Sequence, residues 1–152
     1  MAVASVASLH RSWSYDLTPS QLYALLELRV EVFVVEQKCA YPELDGRDLE
    51  PETRHFWLES DGDVIGTLRL LEEHDDGKTF RIGRLCTRKD VRGEGHTSRL
   101  LQAALAEVGN KPCVLHAQSY LVDMYAKHGF KVTGDEYLLD GIPHVPMQRG
   151  GY

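Results

Sequence analysis

Long apolar runs, paired cysteines and an excess of basic charge are all missing from this sequence of 152 residues. No run of eighteen apolar residues occurs, and residues 1–13 lack a basic segment ahead of a strongly apolar one, so neither a membrane span nor a secretory signal is predicted. We therefore expect a cytoplasmic protein without membrane partners. With 43% hydrophobic residues, one domain over residues 1–152 is the simplest organisation.

The three cysteines are Cys39, Cys86 and Cys113, an odd number without a C-x-x-C pair. This usage argues against a disulfide framework and against a zinc site. No metal centre is expected, and all three thiols are expected to be reduced.

The net charge of −6 disfavours a general nucleic-acid binder, but the charges are unevenly distributed. Residues 1–80 carry 7 basic and 16 acidic side chains, whereas residues 81–152 carry 10 basic and 7 acidic ones. We expect an anion near the basic cluster at residues 81–99 and a cation near the acidic half. Solvated surface charge is the simpler explanation for any single one of these residues.

Apolar alternation and turn residues predict an α+β fold with a mixed, mostly antiparallel sheet. Strands are predicted at residues 12–17, 55–60, 64–73, 79–87 and 112–117, with two more around the Asp140–Gly141 turn. Tight turns are expected at 61–63 and 73–78, and a loop with short helical turns at 38–54. Thr18, Pro19 and Gln21 form the start signature of a first helix.

The periodicity becomes helical after residue 87. Apolar residues recur at helical spacing from Leu100 to Val108, and a further helix is predicted over 119–129 with Ser119 as its cap. A strand, helix and strand in this order require a crossover, so the strands at 79–87 and 112–117 are expected to be parallel, with helices on both faces of the sheet.

The segment RGEGHTS, residues 92–98, lies where the parallel strand leads into the crossover helix. Gly93 and Gly95 let backbone amides approach a ligand, and a helix N-terminus suits a phosphate or pyrophosphate. Arg92 adds a bidentate donor, while the hydroxyls of Thr97 and Ser98 either cap the helix or contact the anion. A plain structural turn is the alternative. The absence of GxxxxGK[ST] and of a third glycine in GxGxxG leaves P-loop and Rossmann sites unsupported.

This segment resembles the acetyl-CoA-binding motif R/Q-x-x-G-x-G/A of the GNAT superfamily of N-acetyltransferases, with Thr97 in place of the final Gly or Ala. MYAKHGF at 124–130 resembles a second motif of that superfamily. The segments LYALLELRVEVFVVEQKCAYPELDGRDL at 22–49 and DGIPHVPM at 140–147 are similar to ElaA-like proteins. The resemblance therefore spans essentially the whole chain.

The resemblance implies a GNAT fold, in which a parallel strand pair splays at the centre of the sheet to admit the pantetheine arm of acetyl-CoA. It implies transfer of the acetyl group to a primary amine, expected to be cationic, by direct attack in a ternary complex. A noncatalytic acyl-CoA-binding or interaction module is the alternative, and homodimers are common in the superfamily. The residues expected to contact acetyl-CoA are Leu85, Cys86, Thr87, Arg92, Gly93, Glu94, Gly95, His96, Thr97, Ser98 and Gln118.

Acetyl transfer to an amine needs a base and an acid. An alkylammonium group with a pKa of about 10.4 must lose a proton, and the departing thiolate benefits from receiving one. Tyr125 matches the tyrosine that serves as the acid in many GNAT proteins, although packing on its helix is the alternative role. Glu36 and His144 are the candidate bases, chosen from a wider set of titratable residues. The others in that set are Glu31, Asp45, Asp48 and His116.

Overall fold

The computed structural model describes residues 6–38, 42–73 and 78–151. The helices in this part of the chain are α1 (Pro19–Arg29), a π-helical segment that continues it (Val30–Glu36), α2 (His96–Val108) and α3 (Val122–Ala126). The strands are β1 (Ser8–Trp13), β2 (Arg54–Ser60), β3 (Asp63–Glu72), β4 (Phe80–Thr87), β5 (Cys113–Gln118), β6 (Lys131–Val132), β7 (Tyr137–Leu139) and β8 (Ile142–Arg149).

These strands form a single mixed sheet in the order β1–β2–β3–β4–β5–β8–β6, with β7 also pairing with β8. Every neighbouring pair is antiparallel except β4 and β5, which are parallel. Helix α2 makes the crossover between these two strands. The predicted α+β architecture, with an antiparallel meander joined to a βαβ unit, is confirmed.

Helices cover both faces of the sheet. The apolar stripe of α2 enters the main core, whereas Leu28 and Val32, from α1 and the π-helical segment, form a smaller cluster with Cys86. Neighbouring residues of β3 contribute to different clusters: Ile65 to the main core and Val64 to the smaller one. Successive strand residues point to opposite faces, so the two clusters lie on opposite sides of the sheet.

The first helix begins as its sequence predicts. The backbone N–H of Thr18 donates to Gln21 Oε1 at 2.9 Å, and the Gln21 N–H donates to Thr18 Oγ1 at 3.1 Å. Both of these N-terminal donors are thereby satisfied within the chain.

Two local predictions are wrong. The strand predicted at 12–17 lies instead at Ser8–Trp13, where it pairs with β2, and Ser14–Asp16 forms a 3₁₀ turn. Ser119 does not cap a helix, because it opens a 3₁₀ turn itself and its hydroxyl donates to Glu136. Partners distant in sequence decide both outcomes, so local residue preferences do not reveal them.

Cys39 and most of the turn predicted at 73–78 lie outside the described residues. Cys86 and Cys113 are free, and burial raises the pKa of each thiol to about 12. Within the described ranges, no group of His, Cys, Asp and Glu is arranged to hold a metal ion. None of the helices described has both the length and the apolar character needed to cross a membrane.

Candidate active site

Strand β4 carries one extra residue opposite β3. Thr67 pairs with Cys86 and Arg69 pairs with Gly83, so two steps along β3 face three steps along β4. At this bulge Arg84 has a left-handed backbone with φ 53°. The extra residue reverses the alternation of faces, which places Cys86 in the small cluster rather than the main core.

Strands β4 and β5 separate next to this bulge. Their ladder contains only the pairs Phe80–Cys113 and Arg81–Val114, although β4 continues to Thr87. On its other edge β4 stays paired with β3 as far as Thr87. The edges of β4 and β5 that face each other therefore border a gap.

A cleft of about 680 Å³ opens at this gap. It is lined by the π-helical segment, β3, β4, the segment 92–98, β5, α3 and the β7–β8 hairpin. The predicted acetyl-CoA contacts other than Glu94, the predicted acid and the two preferred candidate bases all line it. These residues are Glu36, Leu85, Cys86, Thr87, Arg92, Gly93, Gly95, His96, Thr97, Ser98, Gln118, Tyr125 and His144.

The segment 92–98 presents an open backbone surface to the cleft. Gly93 and Gly95 have φ values of 85° and 83°, and apart from adjacent residues of the chain no atom lies within 4 Å of the place a Cβ would occupy at either residue. Gly95 is the N-cap of α2 and has no side chain with which to cap it. Unlike α1, the N-terminus of α2 therefore lacks an N-cap side-chain bond, and its amides suit an anion.

Arg92 joins this segment to the π-helical segment. Its Nη1 and Nη2 donate to the two carboxylate oxygens of Glu36 at 2.5 and 2.8 Å, and Nη2 also donates to the Thr87 carbonyl at 2.9 Å. The hydrogen bonds from Arg92 lower the pKa of Glu36 below its ordinary value. Glu36 is therefore a weaker base than a free carboxylate.

Tyr125 lies on α3 with 7% of its surface exposed. Its ring meets the edge of Phe130 with the ring centres 6.0 Å apart. Burial raises the pKa of the Tyr125 hydroxyl to about 12, so this group stays protonated at neutral pH. Gln118, on the neighbouring β5, shares the cleft wall and donates to Gln37 at 3.4 Å.

His144 lies in a row of side chains across three strands, directly opposite Gln118 of β5 and Tyr137 of β7. His144 Nδ1 is 2.8 Å from the Ile142 carbonyl, which can only accept a hydrogen bond. Nδ1 therefore carries the proton, and in the neutral ring Nε2 has the free lone pair.

Tyr137 was not predicted for the site. Its ring stacks on His144 with the ring centres 6.0 Å apart, and its hydroxyl is hydrogen-bonded to His116 Nδ1. Burial, together with the charge of Arg81, lowers the pKa of His116. The sequence signal that could have located Tyr137 is the two-residue turn at Asp140–Gly141, because this turn sets the register that places Tyr137 opposite His144.

Asp45 and Asp48 do not line the cleft. They belong to a closed ring of six alternating charges, which we call the charge ring. Its members, in order of contact, are Arg29, Glu43, Arg84, Asp45, Arg69 and Asp48, which returns to Arg29.

Each carboxylate of the ring is bound by two arginines. Asp48 accepts from Arg29 Nη1 at 2.5 Å and from Arg69 Nη1 at 3.2 Å. Burial by itself raises the pKa of Asp48 and of Asp45, but the hydrogen bonds and charges of these arginines outweigh it and hold both pKa values below the ordinary range. Both carboxylates are therefore already paired with arginines, which leaves Asp45 and Asp48 poorly suited to be the base in the wider set of candidates.

A sheet that splays at a parallel strand pair, beside an open helix N-terminus, agrees with the GNAT fold expected from the sequence. This chain belongs to the GNAT acetyltransferase family, whose domain model matches residues 17–150. Within that family it is ElaA-like. It is 39% identical to protein ElaA of Escherichia coli over 145 residues, 93% of each chain. The crystal structure of E. coli ElaA has a TM-score of 0.90 at 35% identity, covering 95% of this chain and 99% of that one.

Two other relatives are similar over the same length. UPF0039 protein Rv2851c of Mycobacterium tuberculosis is 67% identical over 146 residues, 95% of this chain and 94% of that one. The structure of an acyl-CoA N-acyltransferase from Pseudomonas aeruginosa has a TM-score of 0.87 at 40% identity, covering 95% of this chain and all of that one. The GNAT fold and the ElaA-like relationship predicted from the sequence are thus confirmed.

Proposed function

We propose that this chain is an N-acetyltransferase that moves the acetyl group of acetyl-CoA to a primary amine of a small molecule or protein by direct attack in a ternary complex. The gap between β4 and β5 and the open N-terminus of α2 belong to one cleft, and this observation carries the proposal. Unpaired strand edges suit the amides of a pantetheine arm, and helix amides suit a pyrophosphate. The acyl-CoA named for the P. aeruginosa relative supports this donor.

The residues of segment 92–98 bind the pyrophosphate in this proposal, chiefly through backbone amides. Glu94 lies outside the cleft wall, so we assign it an amide contact at most. His96 also lines the cleft, and its buried Nδ1 has no hydrogen-bond partner among the described residues. Leu85, Cys86 and Thr87 contribute the strand edge for the arm, and Gln118 contacts the arm from β5.

Tyr125 is the proposed general acid. Its raised pKa keeps the proton in place until the thiolate departs, and the same apolar surroundings raise the proton affinity of that thiolate. As the amine nitrogen bonds to the acetyl carbon and the carbon–sulfur bond breaks, the Tyr125 proton passes to sulfur. A backbone amide near Leu85 stabilises the negative charge that develops on the thioester oxygen.

His144 is the proposed general base. The lone pair at Nε2 accepts the proton that the attacking amine loses, while the Ile142 carbonyl fixes the opposite side of the ring. We prefer His144 to Glu36 because Arg92 occupies both carboxylate oxygens of Glu36. A cytoplasmic location, homodimerisation and a cationic acceptor stay predictions, and the last is no longer supported by Asp45 and Asp48.

The first test is release of coenzyme A from acetyl-CoA in the presence of polyamines, lysine peptides, amino sugars and amino acids. Tyr125→Phe should lower kcat by about 10²- to 10⁴-fold, the usual contribution of a general acid, without weakening acetyl-CoA binding. Tyr23→Phe, at an exposed tyrosine that does not line the cleft, is the matched control.

Full activity of Tyr125→Phe would remove Tyr125 as the acid. Tight binding of acetyl-CoA without transfer to any amine would favour the noncatalytic module instead. If saturating acetyl-CoA does not raise the melting temperature, neither function holds.

A further inference from the structure

We infer that the charge ring positions the β4 bulge, and through it the strand edge that receives the acetyl-CoA arm; this inference rests on the function proposed above. Arg84 links the two features, since its backbone forms the bulge and its side chain is a member of the ring. Glu43 and Arg84 are therefore positioning residues, which act on the site through the backbone of β4.

The backbone of Arg84 needs an external constraint. A residue other than glycine with φ near 53° is strained, and such strain persists where the surroundings over-determine the conformation. The Arg84 side chain meets that need with two contacts to Glu43, from Nε to carboxylate Oε2 at 3.0 Å and from Nη2 to the backbone carbonyl at 3.1 Å. Asp45 Oδ2 lies 3.5 Å from Nη2 and gives a third contact.

The rest of the ring makes this constraint rigid. Glu43 is also bound at 2.7 Å by Arg29, which continues directly into the π-helical segment, and Asp45 is bound at 2.6 Å by Arg69 on β3. Arg29 is 1% exposed and Glu43 4%, so both charges are almost fully desolvated. Buried ion pairs often stabilise a fold no better than apolar residues of the same volume. The charge ring is therefore better explained by the geometry that it fixes than by a contribution to stability.

The position of the bulge matters for the cleft. Pairing between β4 and β5 ends at Arg81, and Gly83, Arg84 and Leu85 then line the cleft. Without the extra residue, Cys86 would return to the face of Phe80 and Ile82, and the edge of β4 that borders the gap would present different peptide groups. Holding Arg84 in its left-handed conformation therefore keeps the correct amides turned toward the arm.

A double-mutant cycle with acetyl-CoA titration tests this. Arg84→Gly removes the side chain but accepts a positive φ without strain, whereas Arg84→Ala removes it and keeps the strain. We expect Arg84→Ala to bind acetyl-CoA roughly tenfold more weakly than Arg84→Gly, the factor that corresponds to left-handed strain of one alanine. Glu43→Gln should weaken binding in the Arg84 protein and have no effect on binding in the Arg84→Gly protein.

Glu107→Gln is the matched control, because Glu107 pairs with Arg11 and Arg54 and does not line the cleft. It should leave acetyl-CoA affinity unchanged. Titrations are made well below the lowest melting temperature in the set. If Glu43→Gln does not fold, Asp45→Asn replaces it, since Asp45 also contacts Arg84 and is more exposed.

The outcomes separate the two claims. If the unmodified protein does not bind acetyl-CoA, the proposed function and this inference both fail. If it binds but the Ala and Gly variants have equal affinity, or Glu43→Gln weakens binding equally in both backgrounds, the inference is overturned and the proposed acetyl-CoA site is unaffected.

Discussion

Two regions of the cleft contain residues with a left-handed backbone, and this conformation is maintained differently in each region. Gly93 and Gly95 have φ values of 85° and 83° with open space around them. Arg84 has φ 53° and reaches partners about forty residues earlier in the chain. A glycine adopts this conformation freely, whereas an arginine must be held in it.

The difference separates local from long-range determinants of one site. Gly93 and Gly95 adopt their conformation without help from distant residues, so a change at either should affect binding more than folding. The bulge keeps its shape through the charge ring, so a change there should affect both.

The largest effect is expected from Asp48→Asn in the charge ring. Asp48 is buried and neutralises Arg29, and the substitution leaves a buried guanidinium with an incomplete partner set. We expect a loss of about 3–5 kcal/mol in the free energy of unfolding, since this is the usual cost of breaking a buried ion pair. Thermal melting should show a decrease of about 10 °C or more. An unchanged melting temperature would mean that the ring does not constrain the fold.

The pH dependence of stability in the unmodified protein and in Asp48→Asn gives a second test of the charge ring. The folded-state pKa values of Asp45 and Asp48 are held below their unfolded values by the arginines. Their contribution to stability is complete above the unfolded pKa of about 3.9 and is lost as the pH falls toward the folded values. The stability difference between the unmodified protein and Asp48→Asn should therefore be constant from pH 7 to 5 and shrink below about pH 4. A stability difference that grows on acidification would mean that folding raises the pKa of Asp48 instead of lowering it.

A smaller effect is expected from Gly95→Ala. A Cβ at φ 83° meets no neighbouring atom, so only backbone strain opposes it. That strain of about 1–2 kcal/mol should weaken acetyl-CoA binding about five- to thirtyfold. Gly62→Ala is the matched control, because Gly62 has φ 82°, equally open space and a place in the β2–β3 turn. It should lower the melting temperature similarly and leave affinity unchanged; equal losses of affinity would refute the local role of Gly95.

The smallest effect is expected from Glu36→Gln. Glu36 holds Arg92 in a partly exposed pair, and a phosphate must compete with that carboxylate for the guanidinium. Removing the negative charge should tighten acetyl-CoA binding by up to about fivefold, the scale of an exposed ion pair. Titration at low and high salt should show the gain shrinking as salt rises. Weaker binding would show that Glu36 positions Arg92 rather than competing for it.

Much of the cleft was predictable because its signals are short. The segment 92–98, which includes the first residues of α2, and Tyr125 lie within motifs of about ten residues, and all of these residues except Glu94 line the cleft. The bulge had a weaker signal: the apolar residues Phe80, Ile82 and Leu85 break the period of two along β4. Nothing near Asp45 or Asp48 in the sequence indicates that arginines on α1 and β3 neutralise them.

The sequence by itself determined the mixed sheet, the crossover helix and the glycine-containing segment at the N-terminus of α2, because periodicity, turn residues and glycines act over one or two turns of chain. Only the tertiary structure decided which carboxylates are available, which histidine has its tautomer fixed, and where β4 leaves β5. The first of these properties depends on contacts between distant segments such as Asp48 with Arg69, and the other two depend on how β8 and β4 lie against their neighbouring strands. Burial and partner charge set the chemistry of a side chain, and both arise when distant segments meet.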